Sequence, residues 1–472
     1  MLALLANAQQ VTYSEAKKIS GKSPQFKILG KNNEGIILHE YGKYDNYIEA
    51  YAPNMKLKWR KNLNIKQANS EIKKILIFPE QTNIIYVAPT KESWNIYAQS
   101  MDAKFTTGIK FMRLDSVYYG KDNLADNLKV VHSNNRDKMV VFYPIPGKNS
   151  MNFIVLNKNL ELLLRKQVDF PLPQGDYGLN DVIVDDEANI FVILVDNSKQ
   201  KRDDTNYDRL KVFALPNSTY SPQQLNLQFT RNFFGKVKFY IDNVNKQLTA
   251  SGFYADENLK QAQGYFYKAF DTETLELKRN YQNEFSSEAY KQIVGKETSQ
   301  NLNGLSTFEV TDVVLRFDGG IILIAESKFT NVENMQVPSF VPAAGPAFRS
   351  VTVNYYNDIM VISLAPNGEQ EWLKVLRKKQ ISEDDDGYFS SYALHIRGGE
   401  LNFVYNEEIY SKSNVAGYKI DSKGEVERTV AFNAADEDIL VVPRAGKQIS
   451  SNETILPAFK KNSLKLVKLS YQ

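Results

Sequence analysis

The chain has no cysteine and only three histidines in 472 residues, and each scarcity removes a class of chemistry. Without cysteine there are no disulfides, no thiolate metal sites and no thiol nucleophile. His39, His132 and His395 fall in or beside strands of three separate units, and no H-x-x-x-H or H-x-x-E spacing gathers them into a metal site. Charge of one sign is missing too: 58 Lys plus Arg stand against 55 Asp plus Glu, a formal +3 with the signs interspersed. No global field therefore selects nucleic acid or an anionic surface. No stretch approaches the roughly 20 apolar residues of a spanning helix. P-loop, G-x-G-x-x-G and G-x-S-x-G motifs are absent, and helical periodicity is nearly so. On these grounds no catalytic residue, metal or cofactor is assigned.

What is present is a globular composition, 43% hydrophobic and 12% aromatic. Residues 1–8 end in an apolar stretch running into Ala6-Asn7-Ala8, an A-x-A cleavage pattern, so they read as the remnant of a signal peptide and the mature chain as starting at Gln9. The expected location is periplasmic or secreted. The lack of cysteine leaves no acceptor for a lipid anchor after that site.

Internal repetition organises the rest. Ala52-Pro53-Asn54-Met55-Lys56-Leu57-Lys58-Trp59 lies in register with Ala365-Pro366-Asn367-Gly368-Glu369-Gln370-Glu371-Trp372, and a third copy puts Leu164 at the tryptophan position. Upstream, Gly35-Ile36-Ile37-Leu38 mirrors Gly320-Ile321-Ile322-Leu323. The turns Asp318-Gly319-Gly320, Arg397-Gly398-Gly399 and Pro366-Asn367-Gly368 supply the positive φ that tight hairpins need. Between them run short segments rich in β-branched and aromatic residues. The reading is an all-β chain, a single β-propeller over 9–472 with eight four-stranded blades, starting near Gln25, Ser70, Leu128, Tyr177, Arg231, Thr307, Tyr388 and Asp438. The last unit lacks an outer strand, and Val11–Ile19 is expected to supply it and close the ring. Seven blades is the alternative, through a miscount in the irregular 200–230 region.

Two insertions interrupt the rhythm. Residues 286–301 begin with a serine pair and space Ala289, Ile293 and Val294 helically, predicting one short helix. Residues 331–354 contain Val337-Pro338-Ser339-Phe340-Val341-Pro342-Ala343-Ala344-Gly345-Pro346-Ala347-Phe348, read as an apolar loop whose prolines oppose ladder pairing. A loop of that length and apolarity favours docking. Phe340, Phe348 and Arg349 are the candidate binding residues, and a protein partner at the envelope or outer membrane is the expected ligand. An enzyme acting on polysaccharide or peptide is the alternative, with Asp181, Glu326 and Glu40 as conceivable carboxylates in the central funnel.

The segments DGGIILIAES, NDIMVISLAPNGEQEWLKVL and GYFSSYALHIRGGELNFVYNE resemble repeats of secreted propeller-like proteins of the Bacteroidota, whose functions are mostly unassigned. The resemblance implies a β-propeller and export, carries over no catalytic or binding residue, and suggests service to an outer-membrane or secretion-associated assembly.

Overall fold

The computed structural model describes residues 10–18, 25–42, 46–67, 69–118, 123–173, 175, 177–197, 209–229, 233–255, 261–294, 302–337, 347–409 and 414–471. Eight antiparallel sheets follow one another along the chain, each ordered a-b-c-d. Their a strands are Gln25–Asn32, Glu71–Ile77, Lys129–His132, Tyr177–Val184, Phe233–Asp242, Phe308–Leu315, Ala393–Arg397 and, in the last, the interrupted pair Leu440–Val441 and Lys447–Gln448. At seven seams the a strands of successive sheets are neighbours, including the return of Lys447–Gln448 to Gln25–Asn32, and blades 6 and 7 are joined by a shared buried cluster, so the ring closes as an eight-bladed propeller. Blade starts lie within a few residues of those read from the repeats.

Packing explains the apolar runs. Eight buried clusters occupy the eight seams between neighbouring blades. Strand b is covered on both sides: Ile37 faces blade 2, while Ile36 and Leu38 face blade 8. A strand buried on both faces has no solvent side to mark with polar residues, hence I-I-L rather than strict alternation.

The c–d turns of blades 1, 2, 3, 6 and 7 share one conformation. Their fourth residue is left-handed in Met55 (φ 63°), Phe105 (φ 56°), Leu160 (φ 54°), Gly368 (φ 85°) and Gly424 (φ 81°). Its N–H donates back to the carbonyl three residues earlier, as in Met55 to Ala52 at 2.8 Å and Gly368 to Ala365 at 2.8 Å. An L-residue pays about 1–2 kcal/mol there. Met55, Phe105 and Leu160 are buried, and burial of such a side chain is worth about 1.5–3 kcal/mol, so these turns hold without glycine. Four residues past the left-handed position, just after a one-residue bulge, the d strand lays Trp59, Leu164 or Trp372 on the next blade. Trp59 lies near Phe105 and Trp372 covers Gly424. Both tryptophans are half-buried at the seam rim, less enclosed than core residues.

Closure follows the expected route. Gln10–Tyr13 forms the outer strand of blade 8, from Gln10 opposite Ser470 to Tyr13 opposite Val467. Lys17, opposite Leu464, then reaches across to blade 1 and pairs with Glu40 and the fully buried Glu49. Arg60 joins them, its Nε 2.9 Å from Glu49 and its Nη2 3.2 Å from Glu40, and the Tyr51 hydroxyl donates to Glu49 at 2.7 Å. The helix of the first insertion spans Ser287–Val294, with the Ser286 hydroxyl accepting from the Ala289 N–H at 3.1 Å and Ala289 and Ile293 buried.

Candidate functional site

Because strands alternate direction, a–b and c–d turns emerge on one face of the ring, and b–c turns with the blade-to-blade connections on the other. On the second face blade 6 departs from the rest. Its b and c strands, Ile321–Val337 and Ala347–Leu364, run on together well past the blade, paired from Lys328 opposite Tyr356 to Val337 opposite Ala347. The loop expected over 331–354 is thus largely a β-hairpin. The physical reason lies in where the prolines sit: Pro338, Pro342 and Pro346 all fall in 338–346, outside the described residues, and the flanks contain none.

Gln380–Glu383 adds a strand against Val353–Tyr356 and braces the hairpin stem. Within the stem Phe329 stacks on Tyr355 at 4.5 Å, the Tyr355 hydroxyl donates to Glu333 at 3.0 Å, and Ser350 donates to Asn334 at 2.8 Å. Tyr356 is clamped at the base: Arg444 lies over its ring at 5.4 Å and donates to the Asp386 carbonyl at 3.0 Å. Gly387 (φ 64°) passes so close beneath that a Cβ would stand 2.3 Å from the ring.

The acidic run Glu383-Asp384-Asp385-Asp386 reads from sequence as a solvated link, and it acts as an anchor. Asp384 accepts from the Thr352 N–H at 2.9 Å and pairs with Arg349. Those bonds, the backbone one foremost, hold its carboxyl below the usual carboxylate range. Of the three candidate binding residues, Phe348 stands 65% exposed on the hairpin, Arg349 beside it is tied to Asp384 with much of its surface free, and Phe340 lies outside the described residues. Val332 is also exposed, at 72%. From Phe329 to Val337 the b strand has a partner on one side only among the described residues, since pairing with strand a ends at Ser327. Tyr356 stands out in the sequence as half of an aromatic pair and Asp384 as part of the acidic run, but Arg444 and the convergence of the three went unrecognised because they meet only through the fold.

Below the hairpin lies a buried polar knot in the seam of blades 6 and 7. Lys378 and Glu326, both essentially inaccessible, pair at 2.9 Å. Glu326 also accepts from Ser391 at 2.7 Å, and Lys378 donates to the Tyr356 carbonyl at 2.8 Å and to Gln380 at 2.9 Å. Burial pushes the Lys378 ammonium below the usual lysine range, against the pull of Glu326. Tyr392 beside them donates to Asp312 at 2.8 Å, and burial raises its phenol well above the ordinary value.

The conceivable catalytic carboxylates are placed in three different blades. Glu40 is engaged by Lys17 and Arg60, Glu326 by Lys378, and Asp181 sits on the a strand of blade 4, its carboxyl raised by burial. His39 bonds Asn46 at 3.1 Å and stacks on Tyr41. His395 lies between Thr454 at 2.8 Å and the Ser451 carbonyl at 3.0 Å. Burial lowers both rings to about 4, so they are neutral structural groups. Among the described residues no three His, Asp or Glu side chains are grouped to hold a metal, and no helix is long and apolar enough to cross a membrane.

No protein-family model matches the chain, and no curated protein does. Similar solved structures include a polysaccharide lyase, Uly1 (10% identity, TM-score 0.39, 99% of this chain and 100% of that one) and the Nup133 β-propeller domain of Vanderwaltozyma polyspora (10%, 0.36, 84% and 100%). A puromycin hydrolase is similar over 86% of this chain, which spans only 52% of that protein (9%, 0.39). Likeness at this level assigns neither a family nor an activity, and the propeller architecture rests on the eight sheets and eight seams themselves.

Proposed function

We propose that this propeller is an exported binding module that engages a protein partner at the cell envelope through the blade 6 hairpin. The observation that carries this reading is a stem braced on one face of a rigid ring while presenting Val332 and Phe348 to solvent. Two exposed apolar side chains, one on each strand of a preorganised hairpin, lose little entropy when covered, and the open edge of Phe329–Val337 offers backbone groups to an added strand. Export is supported by Ala6-Asn7-Ala8.

The test replaces Glu333–Val351 by Asn-Gly, joining the cross-strand pair Val332 and Thr352 through a two-residue turn. Tagged full-length and trimmed proteins are then compared for what they recover from detergent-extracted envelopes. The expected result is a stoichiometric protein retained by the full chain and lost on trimming, with the melting midpoint preserved. Equal recovery by both would remove the hairpin from the interaction, and recovery of no protein by either would refute the binding reading.

A further inference from the structure

Four cations and a histidine gather on the axial side of four consecutive blades. Lys27 comes from the a strand of blade 1, Lys74 from that of blade 2, His132 and Arg136 from the a strand and a–b turn of blade 3, and Lys447 from the inner edge of blade 8. These strands adjoin around the ring axis. Two of the cations are oriented by backbone carbonyls: Lys447 donates to Leu29 at 2.8 Å, and Arg136 to Ile77 at 3.4 Å. The turn carrying Arg136 also reaches the opposite wall, where Asn134 donates to the Ile241 carbonyl of blade 5 at 3.3 Å and the Asn135 N–H to Asp186 of blade 4 at 3.0 Å. The Ser133–Arg136 turn therefore lies across part of the axial opening, with the cations gathered beside it.

No described carboxylate forms an ion pair with Lys27, Lys74, Arg136 or Lys447. They act on one another instead. Burial lowers Lys447 to about 8, assisted by repulsion from Arg136, Lys27 and Lys74. Lys74 is lowered by burial and then by Lys27 and Arg136, and His132 by burial and by Lys74, Arg136 and Lys447, against its bond to the Ser133 carbonyl. Other partly buried cations carry a counter-charge, as Lys17 does in Glu40 and Glu49 and Lys468 in Glu453 at 3.2 Å, while Lys268 is buried singly on the Gln228 carbonyl and Asn280; among the described residues, only at the axis do several unmatched cations stand together. Half-buried Lys74, Arg136 and Lys447, with the exposed Lys27 beside them, are like charges from four blades without a described ion-pair partner, and they oppose folding unless something negative joins them.

We propose that the axis of the ring beside Lys27, Lys74, Arg136 and Lys447 is a binding site for a small multivalent oxyanion. Phosphate and carboxylate groups share the required chemistry, several acceptor oxygens that can take charge-assisted hydrogen bonds from lysine and arginine at once. His132 adds a ring nitrogen on the same side. The site is independent of the hairpin, so the failure of either proposal leaves the other standing.

The experiment titrates the full chain at low ionic strength with pyrophosphate and, separately, with citrate, read by calorimetry and by the melting midpoint. Wild type is compared with Lys447→Gln and Lys74→Gln. The expected result is saturable binding of at least one anion that weakens about tenfold or more in each variant, the loss of one charge-assisted contact. Pyrophosphate binding alone identifies a phosphorylated ligand, and citrate binding alone a carboxylated one. The unliganded variants should melt at or above wild type, since each removes repulsion. Absence of saturable binding of either anion, equal affinity in wild type and variants, or variants that melt well below wild type without ligand would each overturn the proposal.

Discussion

Replacing Glu326 by Gln tests whether the knot under the hairpin is a paired charge in a dry seam. The carboxylate lies 2.9 Å from the Lys378 ammonium. At an effective dielectric of about 20 their attraction is about 6 kcal/mol. Much of that is offset by desolvating both ions, so the intact pair is nearly neutral for stability, whereas removing one partner strands the other. The expected cost is about 3–5 kcal/mol. An unfolding entropy of about 2.1 cal/mol/K per residue gives about 1 kcal/mol/K for a cooperative chain of 472 residues, so the melting midpoint should fall by about 3–5 °C near neutral pH. The pH dependence has a definite sign. Lys378 titrates in the folded state below the 10.5 of a free lysine, so between those values the unfolded chain holds more protons and stability from this group rises with pH. Without Glu326 the folded value drops further and the window widens toward neutrality. The deficit of Glu326→Gln relative to wild type should therefore shrink as pH rises toward 10.5. Adding Lys378→Met to Glu326→Leu should recover most of the loss. A deficit under about 1 kcal/mol, typical of a solvated pair, or one that does not change with pH, would refute this reasoning.

Gly368→Ala should destabilise the c–d turn of blade 6 by about 2 kcal/mol or more in chemical denaturation, because the left-handed backbone costs about 1–2 kcal/mol and the new Cβ would lie 2.1 Å from the Tyr281 ring. The parallel change Leu160→Ala, where the side chain is fully buried, should cost about 2–5 kcal/mol through lost packing rather than backbone strain. Removing residues 10–18 should unpair the outer edge of blade 8 and take Lys17 from the buried Glu49, leaving it to Arg60 and Tyr51, lowering the midpoint and promoting concentration-dependent association through Ser463–Ser470. An unchanged midpoint and a monodisperse sample would show that closure does not depend on this strand.

The architecture was legible because it is written locally and repeatedly. Ala52-Pro53-Asn54-Met55 and Ala365-Pro366-Asn367-Gly368 mark the same turn twice, and the I-I-L runs mark the doubly buried b strands. Eight repetitions average out the ambiguity of any one, including blade 4, whose outer strand is only Gln223–Leu225. The missing outer strand of the last repeat pointed to the N-terminus through hydrogen-bond accounting alone. The short helix followed from a cap and a spacing.

The site was less legible. Prolines at 338, 342 and 346 directed the reading of 331–354 toward a loop, although only the tip carries them and the flanks are free to pair. Asp384, Gly387 and Arg444 converge on the hairpin base from segments whose proximity depends on how blades 6, 7 and 8 follow one another. Sequence by itself determined the strand rhythm and the turns, since these depend on backbone conformation and burial within a few residues, and it favoured eight blades over seven; the eight sheets decided the count. Only the tertiary structure decided which charges meet. Glu326 finds Lys378 through the path of one blade, and Lys27, Lys74, Arg136 and Lys447 face one another only because a closed ring turns four inner strands toward a common axis.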